Sequence, residues 1–405
     1  MTSSIESNVR EIINNVKYRG DEALLAYSKL FDGIELLSVR VPEVVLKAAY
    51  DASPPALINA LETARRNLLT FHRLQLTSAE IIWETDEKTI KLMTTPLKSV
   101  GVYAPGGRAA YPSSVLMNVI PAQVAGVERI ALFSPPPKVP SQSPVFAAAW
   151  LLGIKEVYAL GGAQAIAAAA YGTESIPRVD MITGPGNAYV TEAKRQVFGT
   201  VAIDMLAGPT ELMIIADDSA PIPFLAADLL AQAEHDPDAR LTLIDLGVDI
   251  ERLSERLREA IEQTPESCAK ESINNLQVIR TCDFREAANI ANRMAPEHLS
   301  LQTRQNDWLS SQITMAGSIF IGSLSTEALG DYACGSNHVL PTNGTARFAS
   351  CLNVNTFQRR YQTIQYKSLD ETDFKASETI ASFEGLPYHK KSIEVRRRYD
   401  PTERK

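Results

Sequence analysis

The 405-residue chain has only five histidines, and four of them stand beside amide or carboxylate side chains in turn-like or helix-end contexts. Gln232-Ala-Glu-His235 ends an apolar segment. On a helix, positions three apart share a face, so an amide oxygen and an imidazole nitrogen point the same way. Histidine is a frequent zinc ligand and an amide oxygen a weaker one. By itself, His235 reads first as a histidine at the negative end of a helix dipole. Pro296-Glu297-His298-Leu299 precedes a strand-like stretch. An adjacent acid and base can serve two different proton transfers at one site, although a solvated loop pair is the simpler reading of these two alone. Between Gly330 and Pro341, Asp331, Asn337 and His338 share a glycine-containing loop, with Glu327 just upstream; loops on rigid scaffolds often carry ligands. Glu384 and His389 flank a break at Gly385 and Pro387. One zinc site needs about three or four such donors.

A second set of residues suits a nucleotide. Pro105-Gly106-Gly107, Gly161-Gly162 and Gly184-Pro185-Gly186 each fall between a strand pattern and a helix pattern. Free backbone N–H groups at such turns suit a phosphate. None is the GxGxxG fingerprint, and one glycine turn alone is most simply turn geometry. Three in succession on one parallel sheet make a crevice at the strand ends, with Tyr103, Gln164 and Asn187 in or beside it.

The elements that position these groups follow from periodicity. The first 70 residues read as helices, broken at Gly20 and at Pro54-Pro55. From about Lys98, strands alternate with helices (SVGVYA, RIALFS, EVYAL, VDMITG), which implies a mainly parallel sheet covered on both faces. A second α/β stretch starts near Glu211 with ELMIIAD, RLTLIDL, NLQVIRT, HLSLQT and GSIFIG as strands. The tail beyond about Val354 reads as helical and polar, ending in the basic YHKKSIEVRRR.

Composition narrows the function class. A chain that is 45% hydrophobic and 22% charged has ample core for two main domains of about 100–200 residues each. A net charge of −8 argues against a nucleic-acid surface. No apolar run reaches the length of a membrane span, and the start lacks the basic and apolar regions of a signal peptide. Cys268, Cys282, Cys334 and Cys351 form no CxxC and read as small core residues or inert thiols, which suits a reducing cytoplasm.

At this point the chain resembles the histidinol dehydrogenases. The matching stretches run in order over nearly its whole length: VGVYAPGGRAAYPSSVLMNVIPAQVAG, GGAQAIAAAAYGT, GPGNAYVTEAKRQVFG, IDMLAGPTELMIIAD, AADLLAQAEHDP, APEHL, AGSIFIG, EALGDYACGSNHVLPT and GLPYHK. The resemblance implies two incomplete Rossmann-like domains with mainly parallel sheets plus a small helical C-terminal domain. The corresponding divisions are 1–103 with 212–352, 104–211, and 353–405. It implies an intertwined homodimer with shared active sites and one zinc per subunit held by Gln232, His235, Asp331 and His389, the last from the partner. It implies Glu297 and His298 as the acid/base pair, and NAD contacts at Tyr103, Gln164 and Asn187. Contacts to L-histidinol fall to Thr210, Gln232, His235, His298, Asp331, His338, Glu384 and His389. The family's reaction oxidises L-histidinol through L-histidinaldehyde to L-histidine with two NAD. Zinc has no redox chemistry, so the nicotinamide takes each hydride.

Three departures stand out: Thr210 replaces the family's serine, the N-terminal arm of many members is nearly absent, and CLNVNTFQRRYQ differs from the commoner tail pattern. Two other readings compete. A dehydrogenase for another polar alcohol would not need Glu384, His338 and His389, and a non-catalytic zinc or nucleotide module would not need the Glu297-His298 pair.

Overall fold

The computed structural model describes residues 2–106, 110–264 and 267–398. Gly107 of the first glycine turn lies outside them. The chain divides into two compact units, residues 1–76 with 97–357, and residues 77–96 with 358–405.

The larger unit holds two five-stranded sheets. The first contains β3 (Ser99–Tyr103), β4 (Arg129–Ser134), β5 (Glu156–Ala159), β6 (Met181–Thr183) and β7 (Ala202–Ile203), in the order β5-β4-β3-β6-β7. The second contains β8 (Glu211–Asp217), β9 (Arg240–Leu246), β10 (Gln277–Arg280), β11 (His298–Gln302) and β12 (Ser318–Ile321), in the order β10-β9-β8-β11-β12. Every pairing in both sheets is parallel. The two orders are the same pattern: the first strand lies in the middle, the next two strands step to one side, and the last two step to the other. That reversal opens a crevice beside the first strand of each sheet.

Apolar runs, not alternation, mark these strands because both faces are covered. Ile130 and Leu132 belong to one core and Ala131 and Phe133 to the other. Leu212 and Ile214 likewise face away from Met213 and Ile215. The helix Pro112–Ala125 starts on a proline and stops at Gly126, whose φ of 90° suits the left-handed cap. It is apolar nearly all round and almost wholly buried.

The smaller unit is an antiparallel sheet with two helices. β1 (Glu80–Glu84), β2 (Lys88–Pro96) and β13 (Gln358–Tyr366) pair in the order β1-β2-β13. The stretch from Val354 therefore makes one 3-10 turn, Val354–Phe357, and then a nine-residue strand, and the expected α-helices begin only at Glu371. Helix Glu371–Phe383 ends at Glu384, Gly385 takes a φ of 70°, and Pro387 starts helix Pro387–Arg397. Within this unit the buried Lys88 ammonium meets Asp370 and Asp373 at the start of the first helix and lies 5.0 Å from the Trp83 ring.

Candidate active site

A cleft of about 1370 Å³ in the larger unit brings most of the chemistry-bearing residues together. One wall comes from the C-terminal ends of strands of the first sheet and the turns and helix starts after them: Tyr103, Gly161 to Gln164, and Gly184 to Asn187. The facing wall comes from residues at the N-terminal ends of β8 and β11: Thr210, Glu297 and His298. The crevice rule for strand C-termini thus locates only the first wall. His235, Asp331 and His338 complete the second.

Glu297 is held from two sides. Its Oε2 accepts the Thr210 hydroxyl at 2.8 Å and the Glu211 N–H at 2.8 Å. The Gln232 amide Nε2 donates to the same Thr210 hydroxyl. Thr210 therefore relays between Gln232 and Glu297, a task its hydroxyl performs as serine's would. Gln232 is 1% exposed, and its Oε1 is buried with no hydrogen-bond donor.

His298 lies flat against Phe320, with ring centroids 6.0 Å apart. Its Nδ1 is 3.0 Å from the Glu211 carbonyl oxygen. A carbonyl carries no proton, so Nδ1 must donate, and in the neutral ring Nε2 keeps the lone pair. Nε2 is buried, makes no hydrogen bond, and lies 3.8 Å from Asp331 Oδ1. Burial disfavours the imidazolium, but Asp331 and Glu297 outweigh it and push the His298 pKa up to about 10. For Asp331, burial again opposes the charge, yet the facing imidazoles of His298, His338 and His235 hold its pKa below the usual value. His338 Nδ1 donates to the Asp331 carbonyl at 2.9 Å, and desolvation lowers its pKa. His235 Nε2 lies 3.8 Å from Asp331 Oδ2. Among the described residues no three His, Cys, Asp or Glu side chains form a ready metal cluster.

On the opposite wall the Tyr103 hydroxyl accepts the Gly162 N–H at 3.2 Å, and burial raises its pKa to about 12. Gln164 is buried beside it. Asn187 caps helix Ala188–Val197: its Oδ1 accepts the N–H groups of Tyr189 and Val190, which leaves its Nδ2 for a ligand. Glu384 and His389 belong to the smaller unit, at the end of one helix and inside the next. His72 donates to the Leu68 carbonyl inside its own helix and has a structural role. The cysteines carry no disulfide, and none is fully buried: Cys282 and Cys334 are exposed, which corrects the reading of all four as core residues or inert thiols as far as the core is concerned.

Sequence reasoning missed Lys194, Asp204 and Glu211. Lys194 sits in the polar run TEAKRQ, where nothing local separates a buried lysine from a solvated one. A glutamate opening an apolar strand, as Glu211 does, was the one available signal.

The profile of the histidinol dehydrogenase family matches residues 1–397. The chain belongs to this family. It is 46% identical over 399 residues to a histidinol dehydrogenase of Listeria innocua, covering 98% of this chain and 93% of that protein. It is 48% identical over 401 residues to one of Bacillus licheniformis, covering 96% and 93%. The crystal structure of histidinol dehydrogenase from Elizabethkingia anophelis superposes with a TM-score of 0.91 at 36% identity, covering 97% of this chain and 92% of that one. Histidinol dehydrogenases are oxidoreductases of histidine biosynthesis, and membership carries that role and the α/β fold to this chain. Among the described residues no helix is long and apolar enough to cross a membrane.

Proposed function

We propose that this protein oxidises L-histidinol through L-histidinaldehyde to L-histidine, using two NAD and one zinc per subunit, in the cytoplasm. The observation that carries the reading is the pairing of His298 with Glu297: a base whose Nδ1 is pinned and whose Nε2 is bare, next to a carboxylate held by two donors. The residues present fit zinc. Gln232 Oε1 is a buried acceptor without a donor, and His235 Nε2 and Asp331 Oδ2 are 3.8 Å apart. Two donors each about 2.1 Å from one ion span up to about 4 Å. His389 of a partner subunit is the fourth ligand in this reading, and residues 353–405 form the small dimerisation domain. The sheet that contains β8 then serves metal and catalysis, and the sheet that contains β3 serves NAD.

When bound, zinc supplies a fixed positive charge that orients substrate nitrogens, and NAD supplies the hydride acceptor. His298 Nε2 takes the alcohol proton as the first hydride leaves the carbinol carbon. Its base form requires that the Asp331 charge be engaged elsewhere, as the ligand role provides. Glu297 takes a proton from water as the water oxygen adds to the aldehyde carbon, and His298 returns the proton it gained to the carbonyl oxygen, which gives the gem-diol and restores the base form of His298. His298 accepts the diol proton as the second hydride leaves, and the acid is formed. Thr210 holds Glu297 in place. Glu384, His338 and His389 recognise the imidazole end. Tyr103, Gln164 and Asn187 position the nucleotide.

The test is product analysis with L-histidinol against other amino alcohols. NAD-dependent formation of L-histidine supports the reading. Preferred turnover of another alcohol, or release of aldehyde alone, overturns it.

A further inference from the structure

Lys194 and Asp204 form an ion pair whose side chains are 3% and 1% exposed, in the floor of the cleft. Lys194 stands on the helix that Asn187 caps, and Asp204 directly follows β7. Their partners are the two backbone groups of one residue. Asp204 Oδ2 accepts the Gly184 N–H at 2.7 Å, and Lys194 Nζ donates to the Gly184 carbonyl at 3.1 Å. Asp204 Oδ1 takes both Lys194 and the Met205 N–H.

Gly184 is also fixed from its other side. Its φ is +108°, and a Cβ there would stand 2.0 Å from the Tyr103 carbonyl oxygen. Tyr103 in turn takes the Gly162 N–H on its hydroxyl. One chain of contacts therefore links Asp204, Gly184, Tyr103 and Gly162, and so joins the ends of β3, β6 and β7 to the second glycine turn. A buried ion pair is not needed for stability alone, since an apolar pair of similar volume is often as good or better. Only groups with directional hydrogen bonds can take both the N–H and the C=O of a turn residue.

We infer that Lys194 and Asp204 are positioning residues for the nucleotide: by holding Gly184 at both backbone groups they set where Asn187 and the N-terminus of its helix meet NAD. This rests on the reading of that wall as the NAD site. A cradle fixed before the cofactor arrives loses less freedom on binding.

The double variant Lys194→Met/Asp204→Asn tests it, because it leaves no uncompensated buried charge. It removes the donor to the Gly184 carbonyl and leaves two backbone N–H groups competing for one amide oxygen. The NAD Kd, read by calorimetry, should rise roughly tenfold, the value of one or two net hydrogen bonds, while zinc affinity and the KM for L-histidinol stay at wild-type levels. An unchanged NAD Kd, or a parallel loss of zinc and NAD affinity, overturns the assignment. Amide hydrogen exchange on wild-type protein gives a reading that needs no variant. The Gly184 amide should exchange slowly before NAD is added, and fast exchange that slows only with NAD overturns the assignment. If wild-type protein binds no NAD at all, the reading of the wall fails with it; if wild type binds and the double variant binds as well, this inference alone fails.

Discussion

Replacing Glu297 by glutamine separates the two oxidations. Oε2 of Glu297 receives both Thr210 and Glu211 donors at 2.8 Å. A glutamine carbonyl oxygen can take both, and the amide nitrogen then occupies the position of Oε1. The shape survives and the proton acceptor does not. General-base assistance is worth about 10²–10⁴ in rate, and the hydration of the aldehyde should fall by that factor, or roughly 3–5 kcal/mol of barrier. The alcohol step keeps its base, since His298 remains fixed by the Glu211 carbonyl at 3.0 Å. It loses only a neighbouring carboxylate 3.6 Å from Nδ1, which should alter the first oxidation by no more than about tenfold, near 1.4 kcal/mol. Single-turnover NADH formation, started once from L-histidinol and once from supplied L-histidinaldehyde, reads the steps apart. Aldehyde should accumulate from the alcohol. Equal losses in both steps, or a larger loss in the first, would refute the role given to Glu297.

Other outcomes follow from the same structure. Gly184→Ala meets both a φ of +108° and the Tyr103 carbonyl, whereas Gly199 has a φ of +99° and open space. The first should therefore cost at least about 3 kcal/mol in denaturant unfolding and Gly199→Ala only about 1–2; equal costs would contradict the contact. Burial, and then Asp228, raise the Glu327 pKa from 4.5 to about 8. An acid whose folded pKa is raised loses stability as pH rises from its unfolded to its folded value, so chelator-treated Glu327→Gln should gain on wild type across that window by a few kcal/mol, on the order of 1.4 per pH unit. A pH-independent difference would refute it. Inactive His235→Asn and inactive His389→Asn, unfolded and reassembled together, should recover activity, because in a heterodimer with shared sites one site collects both lesions and the other none. Verified heterodimers without activity would reject sharing.

Much of the larger unit was legible because its strands are continuous apolar runs between glycine turns and helix patterns. Such runs locate the strands of both sheets except the two-residue β7, whose exposed Ala202 and half-buried Ile203 carry no such run, and put Glu297-His298 at the mouth of a strand. Local spacing also put Gln232 and His235 on one helix face; the helix ends at Ala233, and the cleft gathers His235 with Asp331 and His338, while the buried Gln232 reaches it through Thr210. The smaller unit was not legible. β13 is exposed along eight of its nine residues, and its partner β2 lies more than 250 positions earlier, so neither alternation nor proximity announces the pair. The Lys194–Asp204 pair escaped for a similar reason: the burial of a lysine in a polar helix is decided by partners ten residues away in the chain, here the Gly184 carbonyl and Asp204, not by its immediate neighbours in sequence.

The most direct measurement is the count of NADH formed per L-histidinol consumed, made on chelator-stripped protein before and after zinc is returned. The account predicts no NADH without metal and two per L-histidinol, with L-histidine as product, once zinc is restored. Full activity in the stripped protein, or one NADH with the aldehyde as final product, would contradict it.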